Sequence, residues 1–210
     1  MSFDLWLTFV IASTVLLLIP GPTVLLVLSY AISKGRSVAL ASVLGVALGD
    51  LIAMTMSLIG LGALILASAA LFTILKWVGA IYLVGLGIKL LRSAPSADFG
   101  AVLATREVTA RGVLVHAAFV TALNPKSIAF FIAFVPQFVD PKTPLLPQFA
   151  ILIVTLVGLA AINALAYALL ADKLRAIIGK PAVIAWLIRA GGAALAAMGF
   201  ATAAIRRGTI

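Results

Sequence analysis

The chain has 210 residues, of which 64% are hydrophobic and only 10% charged. Soluble domains carry about 45–50% apolar and about 25% charged residues, so this composition excludes both a water-soluble globule and a disordered chain. It leaves an integral membrane protein, with room for about six spans of ~20 residues and no separate soluble domain. The apolar runs are continuous rather than alternating, which favours helices over an outer-membrane barrel. The chain has no cysteine and one histidine, His116, which removes disulfides, thiol redox chemistry and multi-histidine metal sites.

In chain order, the first span is expected over about Leu5 to Ala31, broken by Pro20-Gly21-Pro22. Its start carries Asp4 and no basic residue, and the apolar run is too long for a signal peptide, so the span is expected to stay in the protein. The second, about Val38 to Gly60, contains Asp50. The third covers about Leu71 to Leu91, and the polar stretch 93–112 reads as a loop. The fourth, about Val113 to Val135, contains Asn124-Pro125-Lys126 and leads into a proline-rich turn. The fifth covers about Gln148 to Leu170 with Asn163 inside it, and the sixth about Ile188 to Ile205, with Arg189 at its edge.

The net charge of +9 is mostly explained by topology rather than by nucleic acid. Lys34, Arg36, Lys89, Arg92, Arg106, Arg111, Lys173, Arg175 and Lys180 fall in loops 1, 3 and 5. The positive-inside rule therefore puts those loops in the cytoplasm and both termini outside, against which Arg206 and Arg207 speak. Gly79, Leu83 and Gly87 match Gly191, Leu195 and Gly199 at one offset, and spans 1 and 4 are both broken by proline. Two three-span halves would have opposite orientations, the inverted-repeat plan of many secondary transporters. The expected architecture is one all-α transmembrane domain over 1–210, with repeat 1 over about 1–92 and repeat 2 over about 113–210.

Pro20 and Pro22 remove two amide donors, and Gly21 lets the chain bend. Freed carbonyls in lipid need protein or a wet cavity, and the half-helix that follows presents free amides suited to an anion. The plain alternative is a packing kink. Lys126 falls ~16–20 Å along span 4, where an ammonium needs a partner, water or an interface to snorkel to. Asp50 is the only acid deep in a span, opposed by burial and favoured by a nearby cation, so it is the candidate proton carrier, with Lys126 its expected partner. A static pair is the alternative. Asn163 falls one residue from the register that would mirror Asp50; it can bind substrate or join helices. Tyr167 is a weaker candidate one turn on, and His116 reads as structural or interfacial. Trp6, Trp77 and Trp186 read as interfacial anchors, and Gly45 and Gly49 as a close-packing step.

IPGPTVLLVLSYAISKGRSVALASVLGVALGD, KWVGAIYLVGLGIKLLR, TALNPKSIAFFIAFVPQFVDP and WLIRAGGAALAAMGF resemble blocks of the LysE/RhtB family of amino-acid exporters. The resemblance implies a bacterial inner-membrane secondary transporter that exports amino acids or related metabolites, in exchange for protons. It carries Pro20, Gly21, Pro22, Asp50, Asn124, Pro125 and Lys126 over as the central site, with Asn163 in an approximate match. No cofactor, metal or enzymatic arrangement is implied. One buried acid is a thin complement for a dibasic substrate, so a neutral amino acid (threonine, homoserine or leucine-like) is favoured over lysine or arginine. A cation or small-ion transporter on the same scaffold and a non-transporting lipid- or protein-binding module are the rivals. Small-residue faces on spans 2, 3 and 6 would permit a homodimer.

Overall fold

A computed structural model of the chain describes residues 1–19, 21–34, 36–67, 69–92, 109–140, 143–171 and 181–204. Within them the chain is helical: α1 (Phe3–Leu18), α2 (Pro22–Lys34), α3 (Arg36–Ala67), α4 (Ala69–Arg92), α5 (Ala110–Ala122), α6 (Pro125–Ala133), a 3₁₀ turn (Val135–Phe138), α7 (Leu145–Leu169) and α8 (Pro181–Ala204). Pro20 and most of the polar loop, 93–108, lie outside the described residues, as do Arg106, Lys173, Arg175, Lys180, Arg206 and Arg207.

Among the described residues, α3 and α7 are long and apolar enough to cross a bilayer, and the pairs α1–α2 and α5–α6 each meet that test as bent spans. The bends are 60° and 46°. Their cause is local. Ile19 (φ −70°, ψ 116°) and Asn124 (φ −67°, ψ 112°) both adopt extended backbone immediately before a proline, where the helical region is disfavoured. Helix then resumes on proline, at Pro22 and at Pro125, whose missing amide is no loss at a first turn. Large apolar side chains such as Val154, Ile162, Ile81 and Phe119 face outward, as lipid contact requires.

The expected helices are present, with changed ends. The helix of the expected sixth span, α8, begins at Pro181, well before Ile188, so Arg189 sits inside it and is exposed rather than marking its edge. The polar stretch ends earlier than Gly112: Thr109 caps α5, its hydroxyl accepting from Gly112 N at 3.1 Å. Trp6 is held within the protein as well as near its end, donating through Nε1 to the Thr155 hydroxyl at 3.0 Å. Trp77 and Trp186 are exposed.

Close packing follows the glycines. A Cβ on Gly45 would collide with the carbonyl of Leu114, and one on Gly49 with Thr121, so α3 and α5 touch backbone to backbone. Between α4 and α8 the contact is reciprocal. Gly87 faces Gly192 and Ala196, while Gly199 faces Ala80 and Val84. Each member of the second set stands 112 positions from its counterpart in the first.

Two apolar clusters flank the centre. In one, Phe9 of α1 meets Phe138, which continues through Phe134 to Phe130 with ring centroids 5.2, 5.1 and 5.0 Å apart. The other joins Val27, Val43, Val46 and Ala164. At that second end Tyr30 and His116 share a 2.8 Å hydrogen bond, which ties α2 to the middle of α5. At the first end, buried Gln148 fastens the turn after Phe138. Its Oε1 accepts from Asp140 N at 2.8 Å, and its Nε2 donates to the Thr143 hydroxyl at 2.8 Å and to Pro144 O at 3.1 Å.

Candidate functional site

A small cavity lies between the two clusters, sharing Leu16 with one and Val27, Val46 and Ala164 with the other. Its volume is ≈ 30 Å³, enough for about one water molecule and too small for an amino acid. The polar residues on its wall are Thr23, Asp50, Asn124, Lys126, Ser127 and Asn163. The residues singled out in spans 1, 2, 4 and 5 are thus brought to one place. Pro20 is outside the described residues, and Gly21, Pro22 and Pro125 border the site through the helix ends they create.

The first break leaves the last carbonyls at the end of α1 short of helical partners: Pro20 and Pro22, four residues after Leu16 and Leu18, offer no amide, and Ile19 N turns back to Leu16 O at 3.3 Å. All four, from Leu16 to Ile19, are taken by side chains of the second half. The Lys126 ammonium donates to Leu16 O at 3.2 Å and to Ile19 O at 2.9 Å. Asn163 Nδ2 donates to Leu17 O at 3.0 Å, and the Tyr167 hydroxyl to Leu18 O at 3.2 Å. Gly21 leaves the space the ammonium needs, since a Cβ there would stand 3.3 Å from Nζ.

The second break is closed from within. Leu123 N and Asn124 N donate back to Phe119 O and Thr121 O, each at 3.1 Å. Asn124 then caps α6, its Oδ1 accepting from Lys126 N at 3.1 Å. The Asn124 amide nitrogen donates to the Thr23 hydroxyl at 3.1 Å, so the N-termini of α2 and α6 are tied side by side. Both therefore aim positive dipole ends at the cavity, where Thr23, Val24, Lys126 and Ser127 form part of its wall.

Asp50 is 3% exposed. It and Lys126 feel each other's charge across the cavity, yet they make no contact ion pair: the ammonium is engaged by the α1 carbonyls. The expected Asp50–Lys126 partnership is therefore one of proximity, since the broken helix offers the lysine Ile19 O, together with Leu16 O, whose other donor is Ile19 N at 3.3 Å. Among the described residues no group of His, Cys, Asp and Glu gathers to hold a metal ion.

Two further residues stand at this place: Thr23, which sequence reasoning did not single out, lines the cavity, and Tyr167, which it placed behind Asn163, bonds Leu18 O. Thr23 follows Pro22 at the start of a helix, a position where a hydroxyl borders the free amides; that position was the available signal. Tyr167 stands one helical turn beyond Asn163, on the same face, and reaches the neighbouring carbonyl.

The LysE type translocator family matches residues 14–206 of the chain. The "Homoserine/homoserine lactone efflux protein" of Salmonella typhimurium is 36% identical over 207 residues, covering 98% of this chain and 99% of that protein. An "Uncharacterized membrane protein" of Vibrio cholerae is 35% identical over 184 residues, 88% of this chain and 89% of that protein. The "Leucine efflux protein" of Salmonella choleraesuis is 33% identical over 138 residues, 65% of this chain and 64% of that protein. No solved structure matches the chain.

Proposed function

Because the chain belongs to the LysE type translocator family and is a membrane transporter rather than an enzyme, we propose that it exports a neutral amino acid, of the homoserine, threonine or leucine kind, from a bacterial cytoplasm. The observation that carries this reading is the convergence of two helix N-termini with the C-terminal carbonyls of α1 and the Asp50 carboxylate around one enclosed cavity. That arrangement complements a zwitterion. The amides of α2 and α6, with Lys126, suit the substrate carboxylate; the carbonyls and Asp50 suit its ammonium. The rest of the wall (Val24, Val27, Val46, Ala160, Ala164) is apolar and holds no second acid for a dibasic side chain.

Six spans in two inverted three-span repeats make up the single domain in this reading. The reciprocal contact of α4 with α8 supports it, because a two-fold axis in the membrane plane pairs each residue with its counterpart's partner. The basic residues at the Tyr30–His116 end support placing that end in the cytoplasm and the N-terminus outside. Asp50 loads a proton from one side and releases it on the other, so that export is an antiport. Two apolar plugs close the cavity in turn, and one must part before an amino acid can enter.

Counterflow in proteoliposomes tests the reading. Labelled homoserine, threonine or leucine should exchange with the same unlabelled compound inside, and labelled lysine should not. Exchange of lysine at a rate equal to homoserine would move the substrate to the basic class, and no exchange of any amino acid by folded protein would end the exporter reading.

A further inference from the structure

We infer that the carbonyls of Leu16 and Ile19 form a binding site for a primary ammonium group, filled at rest by Lys126 and handed to the amino group of the substrate during transport. The inference rests on the exporter reading for its second half only.

The site is built before any substrate arrives. Pro20 denies Leu16 O its helical donor, leaving it a 3.3 Å bond from Ile19 N, and the break leaves Ile19 O beyond the last turn of α1; both carbonyls point at one nitrogen, 3.2 and 2.9 Å away. Carbonyl oxygens in a place closed off from water hold a cation firmly, and Lys126 supplies one on a long flexible stem. The stem is tethered at the first turn of α6, where the Asn124 cap fixes its backbone, so the ammonium can leave and return without moving the helix. A free place for it lies across the same cavity at Asp50, which makes no hydrogen bond or ion pair of its own among the described residues. Gly21 is the third element, because a side chain there would crowd the nitrogen.

The consequence is an exchange of like for like. A zwitterion's ammonium has the charge and donor number of the lysine's, so it can replace Lys126 at the two carbonyls without leaving either unpaired. Lys126, released, moves towards Asp50 and the substrate carboxylate. An empty site would leave Ile19 O without a donor, Leu16 O with only its bond from Ile19 N, and a displaced charge, which discourages the cavity from changing sides without a passenger.

Two experiments test this. In Lys126→Ala the site is vacant, and methylammonium chloride should raise Tm saturably by about 2–4 °C. Tetramethylammonium at the same ionic strength, which has no N–H, should not, and neither salt should move the wild type. An equal response of Lys126→Ala to both salts, or to neither, overturns the ammonium site. The second arm needs no variant to fold. In wild-type proteoliposomes, 2,4-dihydroxybutyrate, which carries a hydroxyl in place of the amino group, should inhibit homoserine counterflow at least ~10-fold more weakly than homoserine does. Equal inhibition overturns the handover. If no amino acid exchanges at all, the exporter reading fails while the stability arm still decides the site.

Discussion

The two broken spans start from the same local event and end in different places. At Ile19 and at Asn124 a residue is forced into extended backbone by the proline that follows it. After Asn124 helix resumes at once, the carbonyls of α5 are reached by its own amides, and one side chain caps the next helix. After Ile19 the gap is longer, and the four carbonyls are reached by Lys126, Asn163 and Tyr167 from the other half of the chain. A break that closes on itself is a fixed point. A break that is closed by distant side chains holds only in one arrangement of the halves, so it is the one able to report and drive a change of arrangement.

The largest expected effect comes from Lys126→Ala, which should abolish counterflow and lower stability by about 1–3 kcal/mol, as buried Ile19 O loses its donor while Leu16 O keeps Ile19 N. Thermal unfolding in detergent and homoserine counterflow measure the two losses; near wild-type transport would show that the first break does not need its lysine. Next is Asp50→Asn, which should keep counterflow but lose export driven by an imposed pH gradient. Unchanged response to the gradient would remove the proton from this residue.

Asn124→Ala should act on the second break alone, lowering stability by about 1 kcal/mol through the lost cap. Asn124→Asp retains the acceptor for Lys126 N and should recover most of that loss, leaving only the bond to Thr23 missing. A collapse of transport in Asn124→Asp with normal stability would make the second break a moving part after all. Tyr167→Phe should have the smallest effect, about 0.5–1.5 kcal/mol, since it removes one neutral hydrogen bond to Leu18 O. If its loss of transport matched that of Lys126→Ala, the carbonyl site would extend along the whole end of α1.

Much of the site was legible because the bilayer punishes the residues that compose it. An acid, a lysine, an asparagine and two proline breaks inside apolar runs stand out by composition alone, and their depth follows from counting residues at 1.5 Å each. The glycine register of α4 and α8 was legible for a similar reason, since helices that touch by backbone tolerate nothing larger. Thr23 and Gln148 did not stand out. A threonine or glutamine near a helix start is ordinary in sequence, and its importance comes from the buried turn or amide end beside it. The early start of α8 at Pro181 was obscured by Arg189, whose charge reads as an edge although its side chain reaches the surface from within a helix.

The sequence by itself determined the helices, the two places where they break, and the depth of Asp50 and Lys126, because apolar run length and missing amides are properties of the chain. Only the tertiary structure decided that Lys126 meets the carbonyls of Leu16 and Ile19 rather than Asp50, and that Asn163 and Tyr167 complete the set. Backbone carbonyls carry no residue signature, and a lysine stem can reach several partners. The choice among them rests on where packing sets α1 and α6, which no stretch of either helix encodes alone.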